Sequence, residues 1–190
     1  WGDIREPQIV FEAVKDVDIV YHLAFINGTR YFYEKPDLVL EVGLKGTLNV
    51  LDAIKKWNTP RYIFASSAEV YQVPTHTPTT ETERLIVPDP KNPRYSYGGS
   101  KLIGEILSLH YLQMKNTSTV IFRPHNIYGP DMGLEHVIPE FIVRMKELSQ
   151  NFTQQNIEFP IQGSGSETRA FCYIDDAASG IALLGEKGNS

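Results

Sequence analysis

The sequence predicts an α/β fold in which parallel strands alternate with helices in a doubly wound sheet. Three short apolar runs, at residues 18–24, 61–65 and 118–122, have the composition of strands that are buried on both faces. Segments with a helical spacing of apolar residues separate these runs. Strands that alternate with helices are joined by right-handed crossovers, so we expect the three runs to lie parallel in one sheet.

The first half of the chain contains two predicted helices and two of the strands. Residues 6–15 form a short helix, because Pro7 suits a first turn and apolar residues share one face. After the strand at residues 18–24, Pro36 begins a longer helix that continues to Trp57. Pro60 then ends this helix before the second strand.

The middle of the chain begins with a long surface loop. Residues 72–94 are rich in proline and threonine, and a helical pattern resumes directly afterwards at residues 95–114. A helix with one solvent-exposed face needs only a single apolar stripe, but the apolar positions of this helix cover a wider surface. We therefore expect it to pack both on the sheet and on a partner. The strand at residues 118–122, a loop at 123–133 and a helix at 137–149 follow.

The C-terminal segment contains shorter elements. We expect a strand near residues 157–161 and a glycine-rich turn at Gly163 and Gly165. A second strand at residues 170–174 leads into a helix, for which Asp175 is the expected N-cap.

Composition limits the classes of function. A chain of 190 residues suits one domain that buries roughly 70% of the surface of its unfolded chain. The net charge of −5, without basic tracts, argues against nucleic acid or anionic membranes as partners. Cys172 is the one cysteine, and we find neither a signal-peptide pattern nor an apolar run of about 18 residues. We therefore expect a cytoplasmic location and no membrane partner.

The pair Tyr97 and Lys101 is the central candidate for chemistry. Residues four apart share a helix face, so the spacing places a phenol beside an ammonium. A free tyrosine ionises near pH ~10, and a neighbouring cation favours the phenolate. Such a pair can serve as a general acid and base near neutral pH. The plain alternative is a surface pair on a core helix.

Clusters that contain polar residues lie at the carboxyl ends of the three predicted strands, at residues 22–24, 66–67 and 124–126. In parallel α/β sheets, ligands bind beyond the carboxyl ends of the strands. We therefore expect these clusters to meet at one edge of the sheet, and this convergence is the main indication of a functional site.

Seven sequence blocks follow one another along the chain. They are Gly-Asp-Ile-Arg at 2–5, Asp-Ile-Val-Tyr-His-Leu-Ala at 18–24, Gly-Thr-Leu-Asn-Val-Leu at 46–51, Ser-Ser-Ala-Glu-Val-Tyr at 66–71, Tyr97-x-x-x-Lys101, Arg-Pro-His-Asn-Ile-Tyr-Gly-Pro at 123–130, and Gly163-x-Gly165-x-x-x-Arg169. Together they resemble the extended short-chain dehydrogenase/reductase family, specifically its NAD-dependent nucleotide-sugar epimerase/dehydratase branch.

The resemblance implies a partial Rossmann-like fold. Residues 1–124 would form the NAD-binding core without its N-terminal part, and residues 125–190 a mixed core and substrate-binding region without its C-terminal part. The family begins with a glycine-rich turn whose amides hold the cofactor pyrophosphate, and this chain has no such run. We therefore expect an internal fragment that binds NAD poorly on its own and is inactive alone. The acidic residue that would hold the adenosine ribose is absent too, which leaves NAD or NADP open.

The resemblance also implies roles for four catalytic residues. Tyr97 would be the base that removes a proton from a sugar hydroxyl. Lys101 would hold the nicotinamide ribose and favour the tyrosinate, and Ser67 would hydrogen-bond the same sugar oxygen. Glu69 lies where dehydratases and decarboxylases of the family have an acidic residue. The plain alternatives are a strand-end cap for Ser67 and a solvated carboxylate for Glu69.

Further residues would contact the cofactor or the substrate. The resemblance implies that the cofactor, NAD, is contacted by Asp3, Ile4, Leu23, Ala24, Phe25, Ser66, Tyr97, Lys101 and Pro124. It implies that the substrate is contacted by Ser67, Asn126 and Arg169. For Arg169 the alternative is a surface salt bridge. The histidines share no metal-ligand spacing, so we expect no metal.

Two positions depart from the family pattern. An asparagine is usual near position 43, where this chain has Gly43, and an aspartate usually follows Arg169, where this chain has Ala170. Both departures concern the detailed geometry of the site.

The implied function is that of an NAD-dependent epimerase or dehydratase, an isomerase or lyase that acts on a nucleotide-activated sugar through a transient 4-keto intermediate. One alternative is a decarboxylase of a nucleotide-linked uronic acid, because the same ketone stabilises the carbanion that loss of CO₂ leaves. Another is a non-catalytic sensor or scaffold on this fold. By the same resemblance, helix 95–114 would pair two chains in a homodimer. The sequence names neither the nucleotide nor the sugar.

Overall fold

The computed structural model describes residues 1–112, 116–134, 136–150 and 157–188. Parallel strands alternate with helices, which confirms the predicted α/β fold class. The chain divides into two compact units. The first contains residues 1–124 and the chain from Ala178 onward, and the second contains residues 125–177. The end of the chain, which the sequence groups with residues 125–177, thus clusters with the first unit.

A three-stranded parallel sheet in the order β1-β2-β3 is the base of the first unit. Its strands are β1 (Ile19–His22), β2 (Arg61–Ala65) and β3 (Ser118–Phe122). Tyr62, Ile63 and Phe64 in the central strand are fully buried, as a strand covered on both faces requires. All three predicted strands are confirmed. Strand β1 is shorter than the predicted run because only residues 19–22 pair with β2.

Several helices precede and connect these strands. Helix α1 (Pro7–Val14) matches the predicted first helix. Between β1 and β2 lie α2 (Thr29–Glu34), α3 (Pro36–Leu40), a π-helical segment (Glu41–Gly46) and α4 (Thr47–Trp57). The helix predicted from Pro36 to Trp57 is therefore continuous, but its middle is wound more widely than an α-helix. Helix α2 is not predicted because six residues are too few to show a helical period.

The main core lies between β2 and the helices α1 and α4. It is formed by Val10, Val14, Val50, Leu51, Ala53, Ile54, Tyr62, Phe64 and Leu112. The N-terminal loop joins this core through Ile4, whose carbonyl accepts a 2.9 Å hydrogen bond from the side chain of Asn49. A Cβ at Gly46 would lie 2.6 Å from Cγ1 of Ile4, so the glycine makes room for the loop.

Residues 72–94 form the predicted loop between two short 3₁₀ turns, at Ala68–Val70 and Pro93–Tyr95. Helix α5 (Ser96–His110) follows and confirms most of the helix predicted at 95–114, of which residues 113–115 lie outside the described part. Gly104 lies directly against the ring of Phe64. This close contact holds α5 tightly on the central strand.

The second unit contains a two-stranded parallel sheet and one complete helix. Strand β4 (Asn126–Tyr128) pairs with β5 (Phe171–Tyr173), and α6 (Val137–Gln150) lies between them in the chain. Strand β5 and helix α6 confirm predictions. Strand β4 lies in the predicted loop at 123–133, because three residues are too short to produce a period of two.

Two predictions for this segment are wrong. Residues 157–161 form no strand, since Pro160 cannot donate a ladder hydrogen bond and its carbonyl accepts from Arg144 instead. Helix α7 (Ile174–Lys187) begins one residue before Asp175, so this aspartate lies in the first turn rather than at the N-cap. A carboxylate in the first turn is still stabilised by the positive end of the helix dipole.

None of the helices in the described part of the chain combines the length and the apolar character that a membrane crossing needs.

Candidate active site

The carboxyl ends of the three strands of the first unit meet at one edge of the sheet. His22 lies opposite Phe64, and Ala65 lies opposite Phe122. Pairing continues past the strand ends. The amide of Ser66 donates to the carbonyl of Phe122 at 2.9 Å, and the amide of Ala68 donates to the carbonyl of Pro124 at 3.0 Å. The expected convergence of residues 22–24, 66–67 and Pro124 is therefore present in this unit.

Tyr97 lies in the first turn of α5, with its ring in the core and its hydroxyl at this edge. Only 8% of the residue is exposed. The ring stacks on Phe32 at a centroid distance of 5.0 Å and meets Phe25 edge-on at 5.2 Å. The hydroxyl lies close enough to the Ser67 side chain for this side chain to influence the pKa of the phenol. Tyr97 and Ser67, two of the predicted catalytic residues, are thus brought together.

Burial raises the pKa of Tyr97 above its ordinary value, and the negative charge of Glu69 acts in the same direction. The side chain of Ser67 opposes this effect and lowers the pKa of Tyr97. The expected stabilisation of the phenolate by Lys101 does not dominate, because the Lys101 Nζ lies 5.7 Å from the Tyr97 ring centroid and donates elsewhere. In this state the phenol holds its proton at neutral pH.

Lys101 is almost completely buried one turn further along α5. Its Nζ donates a 2.6 Å hydrogen bond to the carbonyl of Ala65, at the end of β2. The same nitrogen lies 3.7 Å from the centroid of the Phe25 ring and 5.3 Å from that of Phe64. Burial lowers the pKa of Lys101 to about 7. The amine can therefore change its charge within the physiological pH range.

Ser67 and Glu69 form the turn that follows β2. The Ser67 Oγ accepts a 3.2 Å hydrogen bond from the amide of Glu69 and so caps the 3₁₀ turn. Its plain structural role and its contact with Tyr97 coexist. The Glu69 carboxylate lies 3.4 Å from a guanidinium nitrogen of Arg94, and both side chains are partly exposed. Glu69 is thus held by a cation rather than simply solvated.

A buried polar network beneath the edge is not among the predicted site residues. Glu105 receives two hydrogen bonds from Arg123, at 2.8 and 2.7 Å, and a third from the Ser66 hydroxyl. Arg123 also donates to the hydroxyl of Tyr71 at 2.7 Å. The sequence indicates this network only indirectly, through Glu105 on the same face as Lys101 and an arginine directly after an apolar strand. The network occupies the Ser66 hydroxyl, which the sequence assigns to the cofactor.

The other predicted cofactor residues surround the edge in different ways. Asp3 forms a bidentate ion pair with Arg5. The hydrogen bonds from this arginine lower the pKa of Asp3 to about 2. Ile4 is half-buried against the core, whereas Leu23 is 50% exposed just beyond β1. Ala24 is exposed as well, and Pro124 is half-buried beyond β3.

The residues present fit the nicotinamide end of NAD. Lys101 is buried and meets one hydrogen-bond acceptor among the described residues, so its ammonium suits a ribose hydroxyl. Exposed apolar residues beyond β1 suit a flat ring. The glycine-rich turn that would hold the pyrophosphate is not in this chain. No group of three or more potential metal-ligating side chains is found among the residues that the structure describes.

Two predicted substrate residues lie in the second unit. The amide nitrogen of Asn126 donates to the carbonyl of Ala170 at 2.9 Å and so links β4 to the residue before β5. Arg169 is exposed and donates to the carbonyl of Thr168 at 2.7 Å. The alternative of a surface salt bridge for Arg169 is not seen among the described residues.

The comparison with known families decides the family of the chain. The description "NAD dependent epimerase/dehydratase family" belongs to a family model that matches residues 1–190. The chain belongs to this family. The resemblance noted from the seven sequence blocks is thereby confirmed.

Relatives within the family have different activities. The chain is 34% identical over 190 residues to UDP-N-acetyl-alpha-D-glucosaminuronate decarboxylase of Bacillus cytotoxicus, covering 98% of this chain and 56% of the relative. It is 33% identical over 182 residues to a putative UDP-glucose 4-epimerase of Methanocaldococcus jannaschii, covering 93% and 55%. The chain thus spans about half the length of these curated relatives.

Solved structures show the same architecture. A double mutant of dTDP-glucose 4,6-dehydratase from Streptomyces venezuelae, solved with NAD bound, superposes with a TM-score of 0.83 at 25% identity. The match covers 100% of this chain and 54% of that one. Like the fold described above, it confirms the Rossmann-like interpretation of the first unit.

The buried histidine behind the site gives a prediction for the pH dependence of stability. Burial lowers the pKa of His22 from 6.5 to about 3, and the charge of Lys101 contributes. Below pH 6.5 the unfolded state binds a proton that the folded state does not, so stability falls as the pH falls towards 3. Between pH 7 and pH 5 the loss from this one group is roughly 2 kcal/mol.

In the full-length protein, His22→Leu should therefore lose less free energy of unfolding between pH 7 and pH 5 than the wild type loses. Urea unfolding at both pH values measures the difference. An equal loss in both proteins would show that His22 is protonated in the folded state.

Proposed function

We propose that the protein is an NAD-dependent nucleotide-sugar epimerase or dehydratase that acts through a transient 4-keto intermediate. The observation that supports this most directly is the contact of the Tyr97 hydroxyl with Ser67, one helical turn from the buried Lys101. These groups lie at the carboxyl edge of a parallel sheet, where α/β proteins bind ligands. The relatives within the family, which are named for UDP- and dTDP-linked sugars, support a nucleotide sugar as the class of substrate.

Two side chains divide the proton chemistry between them. Ser67 holds the sugar C4 oxygen, and Tyr97 exchanges a proton with it. NAD, when bound, supplies the chemistry of accepting and returning a hydride. Tyr97 must first release its own proton to solvent at the edge of the sheet, and the side chain of Ser67 favours this. Phe25 and Phe32 cover the phenol ring and exclude water from it.

The cofactor and substrate residues extend this proposal. Asp3, Ile4, Leu23, Ala24, Phe25, Ser66 and Pro124 would line the NAD site, together with Tyr97 and Lys101. Asn126 and Arg169 would bind the substrate diphosphate, because a guanidinium matches phosphate oxygens. We place the enzyme in the cytoplasm, where its single cysteine would stay reduced.

A decarboxylase of a nucleotide-linked uronic acid is the second candidate. The Arg94 guanidinium next to Glu69 supports it, since a partly exposed cation in the turn before Tyr97 can bind a sugar carboxylate. The 34% identity to a glucosaminuronate decarboxylase supports the same reading. In this case the 4-keto group stabilises the carbanion that loss of CO₂ leaves.

The proposed chemistry predicts the effect of Tyr97→Phe. The variant keeps the ring packing and loses the proton-exchanging oxygen, so kcat should fall by about 10²- to 10⁴-fold. The full-length protein is given a panel of UDP-, dTDP-, GDP- and CDP-sugars, and products are identified by NMR. Turnover at the wild-type rate would remove Tyr97 from the mechanism, and a full-length protein that turns over no nucleotide sugar would favour the sensor or scaffold alternative.

Glu69→Gln separates the possible outcomes after oxidation. If Glu69 is the second acid or base of an elimination, the variant should still form the reduced cofactor, seen by its absorbance, while product formation falls by about 100-fold or more. Glu34→Gln, at an exposed carboxylate on α2, is the control. Unaltered product formation in Glu69→Gln would leave this carboxylate a purely structural role as the partner of Arg94.

We also propose that α5 pairs with the same helix of a second chain. Ile103, Ile106 and Leu109 lie on this helix with 42–51% of their surface exposed. Other residues of α5 face the sheet, so the helix has an apolar face that the first unit leaves uncovered. A two-fold axis would place two such faces against each other.

Ile106→Glu in the full-length protein should therefore give the mass of a monomer by light scattering where the wild type gives a dimer, because two buried carboxylates would face each other at the axis. Val73→Glu, at an 80% exposed loop residue, should leave the mass unchanged. A monomeric wild type would contradict the proposal.

A further inference from the structure

The ring of Phe25 contacts both members of the Tyr97–Lys101 pair. Phe25 follows β1 at the carboxyl edge of the sheet. Its ring centroid is 3.7 Å from the Lys101 Nζ and 5.2 Å from the Tyr97 ring centroid, with the two rings at 89°. At 3.7 Å the ammonium lies directly on the electron-rich face of the ring.

Gly43 provides the space for this arrangement. A Cβ at position 43 would lie 2.6 Å from the Phe25 Cζ, the tip of the ring. Gly43 lies in the π-helical segment and its φ is not in the left-handed region, so the glycine is needed for its small size and not for its conformation. Phe25 thus fills the volume that any side chain at position 43 would take.

Lys101 needs such a contact because its ammonium is buried with few polar neighbours. Of its three donors, one is used by the carbonyl of Ala65. No salt bridge to Lys101 is present among the described residues. The titratable groups nearest to Lys101 supply no negative charge to balance its ammonium. His22 is neutral, Tyr97 holds its proton, and the Glu105 carboxylate is paired with Arg123.

We propose that Phe25, in the space left by Gly43, is a positioning residue that holds the Lys101 ammonium in place and stabilises its charged form. The aromatic face offsets part of the cost of burying the charge, and the ring fixes the amine between Ala65 and Tyr97. The proposal rests on the function proposed above, in which Lys101 lines the NAD site together with Tyr97. It adds a residue pair, Phe25 and Gly43, that determines the state of this lysine.

The protonation of Lys101 can be measured without cofactor or substrate. In the full-length protein, isotope-labelled cyanate modifies neutral amines, and mass spectrometry gives the rate at Lys101. The ratio of the rate at pH 6 to the rate at pH 9 reports the charge of the amine. A change in how accessible Lys101 is to cyanate alters both rates by the same factor and cancels in this ratio. Phe25→Leu keeps an apolar side chain but removes the aromatic face, so the neutral amine is favoured and this ratio should rise about three- to tenfold.

Phe32→Leu is the matched control. Phe32 stacks on Tyr97 at 5.0 Å, as closely as Phe25 does, yet it makes no cation–π contact with Lys101 among the described residues. In Phe32→Leu, the ratio of the Lys101 modification rates at pH 6 and pH 9 should stay at the wild-type value. A wild-type ratio in Phe25→Leu, or an equal rise in both variants, would overturn the proposal.

The role of Gly43 is tested by a double-mutant cycle. Gly43→Ala should raise the ratio in the wild-type background, because the new methyl group displaces the tip of the ring. It should have little effect in the Phe25→Leu background, where leucine does not reach position 43. The methyl group also approaches the Ser100 Oγ, at 2.9 Å, but this contribution is common to both backgrounds and cancels. Additive effects would overturn the part played by Gly43.

The experiments distinguish a failure of the positioning role of Phe25 from a failure of the proposed function. If Tyr97→Phe keeps its turnover, the proposed chemistry is wrong, whatever the lysine ratio shows. If Tyr97→Phe loses turnover and the ratio in Phe25→Leu equals that of the wild type, the chemistry stands and the positioning role of Phe25 is wrong.

Discussion

Helix α5 brings two charged side chains into the interior of the first unit, and the edge of the sheet must satisfy both. The Lys101 ammonium is held by the carbonyl of Ala65 and the face of Phe25, and the Glu105 carboxylate by Arg123 and Ser66. A buried charge without partners costs several kcal/mol. These contacts therefore fix the rotation of α5 about its axis and its position along β2. They also hold Tyr97, on the same helix, at the edge of the sheet.

The same constraint accounts for the chemistry that the edge offers. Burial moves the pKa of Lys101 down to about 7 and that of Tyr97 up, so both groups change their charge at a different pH from the one at which they do so in water. The phenol keeps its proton at neutral pH, and it becomes a base only when its surroundings favour the phenolate. The hydroxyl of Ser67 is the one neighbour described here that already does so. Changes in charge near this edge thus decide the direction of proton transfer.

Much of this was accessible from the sequence because apolar runs and helical periods are local signals. The three strands and their common edge follow from pattern and topology, whereas the meeting of Tyr97 with Ser67 follows from the family resemblance. The π-helical segment at 41–46 and the network around Glu105 depend on which side chains meet in space, and a local pattern does not record this. Residues 157–161 show the opposite case, in which a local apolar pattern pairs with no strand among the residues that the structure describes. The direction of the Tyr97 pKa was also missed, since spacing alone gives the nearness of a cation and not the cost of burial.

The guanidinium of Arg61, on the central strand, binds the carbonyls of Leu184 and Gly188 at the end of α7. The first unit is consequently discontinuous along the chain, with residues 125–177 inserted between its two parts. During synthesis the sheet emerges early, but its closing contact spans more than 120 residues and forms only after the inserted segment has left the ribosome. Contacts of such long range slow folding. At ordinary rates of translation, helix α7 would therefore join the newly made sheet only several seconds after β3 has left the ribosome.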